Sequence, residues 1–372
     1  MPPINSIGLV LVGAGAVGRH LLTVVEEKFA RLTVVAIADS RGVASDPHGL
    51  AWPQVRSLLT HKAKGGSVAS WGASTKSEII ERVAAPDLLR LLERLHANPT
   101  FSHFVVVDCS ASMHTAPALV RARQLGFAVV MANKLPLAAH AELYDQLVLT
   151  TDGRRSALVQ YEATVGAGLP VVATLRRMVS SRDTIVSVQG SFSGTIGVVL
   201  AAMNRGSSFS AALGEAHAKG ITEPDPRDDL SGLDVARKMV ILAREMGLRA
   251  ELSSVDIERL IPEALFTLSV PKFLASLPSL DAAFHQRWSD ADSRSGARLA
   301  YLGTISASGE LRVALEEVPS TSVFAHTAST EGAVKICSEW FPEPVVLRGT
   351  GAGVHSTVAA LAADLALVMA SW

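Results

Sequence analysis

Apolar residues along this chain gather into short runs separated by glycine-rich turns and stretches of helical spacing. Ile7 to Val12 is a buried-strand pattern that leads directly into Gly13-Ala14-Gly15-Ala16-Val17-Gly18, and a helical stretch follows from Arg19 to about Lys28. A second apolar run, Leu32 to Ala38, ends in Asp39. From Asp46 to about Ser77 the pattern lapses into Gly, Ser and isolated charges, among them Lys62, Lys64, Gly65 and Gly66, which reads as a solvated loop. Alternation then resumes: a strand at Phe104 to Val107, the turn Asp108-Cys109-Ser110-Ala111-Ser112, a helix to Gln124, and a strand from Ala128 to Met131. The last of these ends in Ala132-Asn133-Lys134-Leu135-Pro136, and a helix to roughly Thr150 and a turn at Asp152-Gly153 follow.

Strand, glycines, helix, strand and acid in that order predict a Rossmann dinucleotide-binding domain. The glycines of the GxGxxG run permit a tight turn and let a pyrophosphate approach the amides of the helix N-terminus, at Ala16, Val17 and Gly18, where the helix dipole favours negative charge. Asp39 stands about twenty residues on, where a carboxylate accepts hydrogen bonds from the adenosine ribose. Arg41 is placed to receive a 2′-phosphate, so NADP and NAD both stay open. Ser110 and Lys134 sit at strand ends that face the cofactor in this fold, and Lys134 falls on the nicotinamide side.

Beyond residue 152 the character changes. Ala157 to Tyr161 reads as a strand, and Glu162 to Pro170 as a turn that exposes main-chain carbonyls ahead of a helix. Ser187 to Phe192 is a strand leading to Ser193-Gly194-Thr195, and a helix spans about Ser207 to Lys219 before Gly220. Glu223 to Lys238 then concentrates five carboxylates and three cations within sixteen residues. Pro224 and Pro226 make its first half a stiff extended arm carrying Glu223 and Asp225. Ser231 is a good N-cap for the helix that follows, where Leu233, Ala236, Met239, Val240 and Ala243 recur at helical spacing and Gly247 closes. Asp234 and Lys238 share one face of it, an i, i+4 pair. Residues from about Leu252 to Val318 mix helical and strand patterns. Val345 to Leu347 is a strand, Arg348 to Gly353 a second glycine turn, and a helix runs from about Ser356 to Met369, which suggests that the chain returns to the nucleotide domain. The expected fold is therefore α/β. Residues 1–152 and 342–372 would form the Rossmann domain, and residues 153–341 a mixed α+β domain for substrate binding and dimerisation.

At 372 residues the chain is long enough for two such domains. Its mean hydropathy is +0.30, yet it has no uninterrupted apolar run of about 18 residues, the minimum expected of a membrane span. The start, MPPINSIGLV, lacks a basic n-region and a cleavage site, so no signal peptide and a cytoplasmic location are expected. A net charge of −1 gives no reason to expect nucleic acid or membrane as a partner. Two cysteines and eleven scattered histidines carry no ligand spacing for a transition metal.

The run K-G-x-T-E-P-D-P-R-D-D-L-S-G-L-D-V-A-R-K, ending at Lys238, resembles the signature of homoserine dehydrogenases, and the likeness extends over nearly the whole chain. The resemblance implies interconversion of L-homoserine and L-aspartate 4-semialdehyde with NAD or NADP, in a homodimer. It implies that Lys238, with Lys134 of the Asn-Lys motif, handles the proton, and that Glu223, Asp228, Asp234, Gly194 and Thr195 meet substrate. Gly220 and Gly353 join the cofactor contacts on the same likeness. Glu162 with the carbonyls of Val165, Ala167 and Leu169 would hold a monovalent cation, Na⁺ or K⁺, for which hard oxygen ligands are suited. Ile221 stands where the family often has Tyr, and Thr350 where it has Pro. The length leaves no room for an aspartokinase or ACT-type regulatory domain. Two rival readings remain: an aldehyde dehydrogenase using Cys109 as a covalent nucleophile, and a regulator that senses NAD(P) without chemistry.

Overall fold

The computed structural model of the chain describes residues 6–72, 81–84 (main chain), 87–293, 296–326 and 331–372. The expected loop therefore passes outside the described residues after residue 72. The chain divides into two compact units, Met1–Thr164 with Val354–Trp372, and Val165–Gly353.

The first unit is a seven-stranded sheet. Its strands are β1 (Ile7–Val12), β2 (Leu32–Asp39), β3 (Gly42–Ser45), β4 (Glu81–Ala84), β5 (His103–Asp108), β6 (Ala128–Met131) and β7 (Val159–Gln160), in the order β4-β3-β2-β1-β5-β6-β7. β2, β1, β5, β6 and β7 run parallel, while β3 and β4 pair antiparallel at one edge. Every residue of β1 is buried, as expected of a central parallel strand covered on both faces. The helix Ala16–Lys28 presents Leu21, Leu22 and Val25 to the same core that takes Leu361, Leu365 and Val368 from the C-terminal helix Val354–Ala370. Fully burying one leucine stabilises by roughly 1.5–3 kcal/mol, so this helix belongs energetically to the first unit. Its Asp364, itself buried, accepts a hydrogen bond from the Glu162 amide at 2.9 Å.

The second unit holds a six-stranded sheet made of β8 (Ile185–Ser191), β9 (Asp256–Ile257), β10 (Arg298–Ile305), β11 (Leu311–Val318), β12 (Glu331–Ser338) and β13 (Val345–Thr350), ordered β13-β12-β8-β10-β11-β9. All neighbours are antiparallel except β11 and β9. The helix Leu233–Glu245 lies against β10 closely enough that a Cβ at Gly303 would meet the Met239 sulfur at 2.4 Å. Because strand side chains alternate, Thr304 faces the other way, in one row with Val346, Lys335, Gln189 and Arg312.

The units divide after Thr164 and after Gly353, later than the expected limits of 152 and 341. β7 still extends the first sheet beyond residue 152, and β13 pairs with β12 in the second. Arg348, Gly349 and Thr350, expected in a turn, are the last three residues of β13. Pro226 also departs from expectation. It opens a short helix, Pro226–Leu230, at the position where a missing amide costs nothing, and Asp225 caps it by accepting from the Arg227 amide at 3.1 Å.

Candidate active site

The glycine-rich turn after β1 opens a cavity of about 960 Å³ within the first unit, lined by Gly13, Gly15, Arg19, Asp39, Lys62 and Ser110 among others. Three glycines do three different jobs. Gly13 has φ +93°, and a Cβ there would stand 2.6 Å from the Ser110 nitrogen. A Cβ at Gly18 would stand 2.2 Å from the Gly13 carbonyl, so that glycine allows helix and turn to pack. Gly15 has nothing within 4 Å and occupies the N-cap of the helix Ala16–Lys28, with no side chain capping its amides. A methyl group there would project into the space a pyrophosphate needs. Open amides at a helix N-terminus and a cavity of this size fit a dinucleotide. Ala16, Val17 and Gly18 form the first turn of that helix.

Asp39 ends β2 at the cavity, as the sequence predicted, but its carboxylate is already engaged. One oxygen accepts from the amides of Arg41 (2.9 Å) and Gly42 (3.0 Å). The other accepts from the Lys62 ammonium (2.5 Å) and the Val68 amide (2.9 Å). Burial opposes ionisation of Asp39, yet the Lys62 hydrogen bond and the Val68 and Arg41 amides outweigh it and hold the group below the usual carboxylate range. A carboxylate offers about four acceptor positions, so a ribose hydroxyl has to displace one of these partners. Lys62, read from sequence as part of a solvated loop, belongs to the helix Trp52–Ala63, with its side chain 16% exposed, and Gly65 and Gly66 line the cavity beside it. Arg41 is exposed and outside the lining.

At the opposite wall the fully buried Asp108 organises the ends of β5 and β6. It accepts from the Ser110 amide (2.8 Å), the Thr115 hydroxyl (2.7 Å) and the Asn133 side-chain amide (3.0 Å). Asn133 in turn accepts from the Leu135 amide at 3.1 Å, which fixes the main chain on both sides of Lys134. Lys134 is half-buried at the N-cap of the helical turn Leu135–Ala138 and does not line the cavity. Cys109 does line it, but burial and the neighbouring Asp108 push its thiol above the ordinary thiol range. A thiol held protonated is a poor nucleophile, which weighs against the covalent aldehyde dehydrogenase reading.

In the second unit, the arm before the helix Leu233–Glu245 is clamped by Arg227. Its guanidinium binds Asp225 in bidentate fashion at 2.8 and 2.6 Å and donates to the carbonyls of Leu265, Phe266 and Leu268. The N-cap is Gly232, not Ser231. Gly232 has φ +74°, and a Cβ on it would stand 2.3 Å from the Tyr301 hydroxyl, which itself donates to the Glu258 carbonyl. Ser231 still contributes by accepting from the Leu233 amide at 3.2 Å.

This anchoring presents Lys238, whose ammonium lies 2.5 Å from Asp234 and donates to the Phe192 carbonyl at the end of β8 at 2.8 Å. The lysine side chain is only 13% exposed, while that of Asp234 is 45% exposed, so the pair is solvated on its acidic side and sheltered at the lysine. Asp229 accepts from the Glu223 amide at 2.8 Å, and the Thr195 hydroxyl lies within hydrogen-bond reach of it and of the Ile221 carbonyl (3.2 Å). Burial raises the Asp229 carboxyl above its ordinary value, and the charges of Asp234 and Asp228 act in the same direction. Sequence reasoning singled out Asp228, which is exposed, and passed over Asp229; the two are neighbours on one short helix, and spacing alone does not tell them apart. Gly194 begins the helix Gly194–Met203, capped by Ser193. Gly220 and Gly353 are exposed glycines of positive φ in this unit.

Glu162 is buried in the 3₁₀ turn Glu162–Thr164 of the first unit, and Val165 begins the second. Gly166 and Ala167 both adopt left-handed backbone, and the Leu169 carbonyl accepts from the Val171 amide at 2.8 Å. Among the described residues no group of three or more His, Cys, Asp or Glu side chains is arranged to hold a metal, and no helix is long and apolar enough to cross a membrane.

The family model for homoserine dehydrogenase matches residues 170–366, and that for the homoserine dehydrogenase NAD-binding domain matches residues 13–155. A bifunctional aspartokinase/homoserine dehydrogenase from Zea mays is 32% identical over 97% of the chain, which spans 38% of that relative's length. Among solved structures, a protein of unknown function from Candida auris superposes with a TM-score of 0.84 at 26% identity, covering 98% of each chain. A hyperthermophilic archaeal homoserine dehydrogenase in complex with NADPH shares the fold, with a TM-score of 0.74 at 21% identity over 99% of this chain and 98% of that one.

Proposed function

The chain belongs to the homoserine dehydrogenase family, and on that premise we propose that it interconverts L-homoserine and L-aspartate 4-semialdehyde with a nicotinamide cofactor. The observation that carries this reading is the half-sequestered lysine, Lys238, fixed by a carboxylate and a carbonyl beside further carboxylates. Glu223, Asp228, Asp229 and Asp234 supply the negative charge that a substrate ammonium requires, and such an ammonium relieves the unfavourable burial of Asp229. Thr195 adds a hydroxyl. The cofactor, when bound, supplies or accepts the hydride. Lys238 supplies the proton: in the reducing direction its ammonium gives one N–H proton to the aldehyde oxygen as that carbon takes hydride, and in the oxidising direction the neutral amine removes the hydroxyl proton as hydride leaves the same carbon. Asp234 and the Phe192 carbonyl orient the nitrogen through this cycle.

We further propose a preference for NADP, supported by the cation at the end of β2. Asp39 has its acceptors engaged, whereas Lys62 is a partly buried ammonium at the cavity wall that a 2′-phosphate can draw from Asp39. The monovalent cation remains a proposal for the Glu162 carboxylate and the carbonyls of Val165, Ala167 and Leu169. It rests on the likeness of the segment from Glu162 to Pro170 to the cation-binding turn of the family, whose ligands are hard oxygens. A homodimer is proposed through the row of Val346, Lys335, Gln189 and Arg312, none of which is buried; sedimentation equilibrium giving a monomer would exclude it.

Three substitution or exchange experiments follow from these assignments. Lys238→Met keeps length and apolar stem but removes the proton, so kcat should fall by about 10² to 10⁴ with cofactor affinity nearly unchanged. Lys134→Met, assayed beside it, should be the milder defect; a folded Lys238→Met enzyme within about threefold of wild type would remove the assignment. Lys62→Met should weaken NADP by about tenfold or more and leave NAD little changed, since one charge-assisted hydrogen bond contributes roughly 1.5–3 kcal/mol; equal losses for the two cofactors would contradict the phosphate contact. Replacing Na⁺ or K⁺ by choline at fixed ionic strength should lower activity or thermal stability, and no change would count against the cation.

A further inference from the structure

A second recess of about 400 Å³ lies wholly within the second unit, where the helix Gly194–Met203 ends, the helix Phe209–Ala218 begins and the helix Asp281–Ser293 crosses. Its lining includes Met203, Phe209, Asp281, His285 and Trp288. None of these residues belongs to the lysine–carboxylate cluster.

The recess is built rather than incidental. Phe209 stacks on Phe284 with ring centroids 3.8 Å apart, which supports the start of one helix on the side of the other. The Trp288 indole N–H donates to the Asn204 side-chain oxygen at 3.1 Å, which fixes the indole plane. His285 lies 6.1 Å from Trp288 in a stacked arrangement. Asp281 is held by the Ser210 amide at 2.7 Å and the Ser210 hydroxyl at 2.6 Å, and no cation among the described residues is paired with it.

We propose that this recess binds a small organic amine that has an apolar body and no carboxylate. Its ammonium would meet the fixed Asp281 carboxylate, and its body would lie against the ring of Trp288, whose π-face attracts cations. The charge balance favours a cation over an anion. Two of the amides that open the helix Phe209–Ala218 are already taken, since Ser208 accepts from the Ala211 amide at 3.2 Å and Asp281 accepts from that of Ser210. An anion would therefore meet the Asp281 carboxylate, with His285, Ser207 and Ser208 as the donors of the lining. An amino acid brings an anionic group for which the lining offers no lysine or arginine. The volume lies at the small end of ligand pockets, which suits one ring or a short alkyl chain.

2-Phenylethylamine, phenylalanine and phenylacetate form a matched probe set for calorimetric or ligand-observed NMR titration of the full chain. The amine should bind and the other two should not. Asp281→Asn keeps an oxygen to accept from Ser210, so the helix start is preserved while the charge is lost, and it should weaken the amine about tenfold or more. Trp288→Leu should weaken it severalfold, and NADP affinity, measured on the same preparations, should be unchanged in both variants. The proposal is overturned if the amine does not bind. It is equally overturned if binding survives both substitutions, if phenylalanine competes at the same strength, or if binding is lost in Asp234→Asn instead, which would assign the amine to the lysine–carboxylate cluster.

Discussion

Lys238 carries its charge with little contact with water, and an ammonium in that position is costly unless it is compensated at close range. Two groups compensate it, the Asp234 carboxylate one helical turn away and the Phe192 carbonyl from the end of β8. Both depend on the wider architecture of the second unit. The helix Leu233–Glu245 can start where it does because Gly232 takes a left-handed conformation against the Tyr301 hydroxyl, and it can lie flat because Gly303 leaves room for Met239. Arg227 holds the preceding arm against the 265–268 segment. Asp234 and Lys238 are therefore held in place by the fold itself, the preorganisation that the proposed proton transfer calls for.

Much of this was legible in the amino-acid order because the local chemistry is strict. Ile7 to Gly18 permits few alternatives: an all-apolar run followed by glycines at those spacings becomes a strand, turn and helix, and each glycine occupies a position where a side chain would collide or would fill the cavity. The Asp234–Lys238 pair was equally visible from helical spacing. Lys62 was not. Its helix carries Trp52, Val55, Leu58 and Leu59 at helical spacing, but spacing says nothing of its last turn returning a lysine to Asp39 across 23 positions. Asp229 was missed for a related reason, since burial within a five-residue helix depends on what packs against it and not on spacing. Arg348 to Thr350 looked like a turn because of its glycines, but pairing with β12 decides the conformation of β13.

The two units also differ in how they commit to chemistry. In the first, uncapped amides open the helix after Gly15, Lys62 pairs with Asp39 at the cavity wall, and the Asp108 network sets the loops on the far wall. In the second, negative charge prevails around one lysine, which suits the ammonium of the proposed substrate. The chain belongs to the homoserine dehydrogenase family and spans 38% of the Zea mays relative's length, so the proposed dehydrogenase activity has to stand on this chain's own residues.

The most direct test is turnover itself. Purified chain should reduce NADP or NAD on addition of L-homoserine, form one aldehyde per reduced nicotinamide, and slow measurably under single-turnover conditions when the carbon bearing the hydroxyl is deuterated. A folded preparation that binds the cofactor yet forms no reduced nicotinamide with L-homoserine would contradict the account.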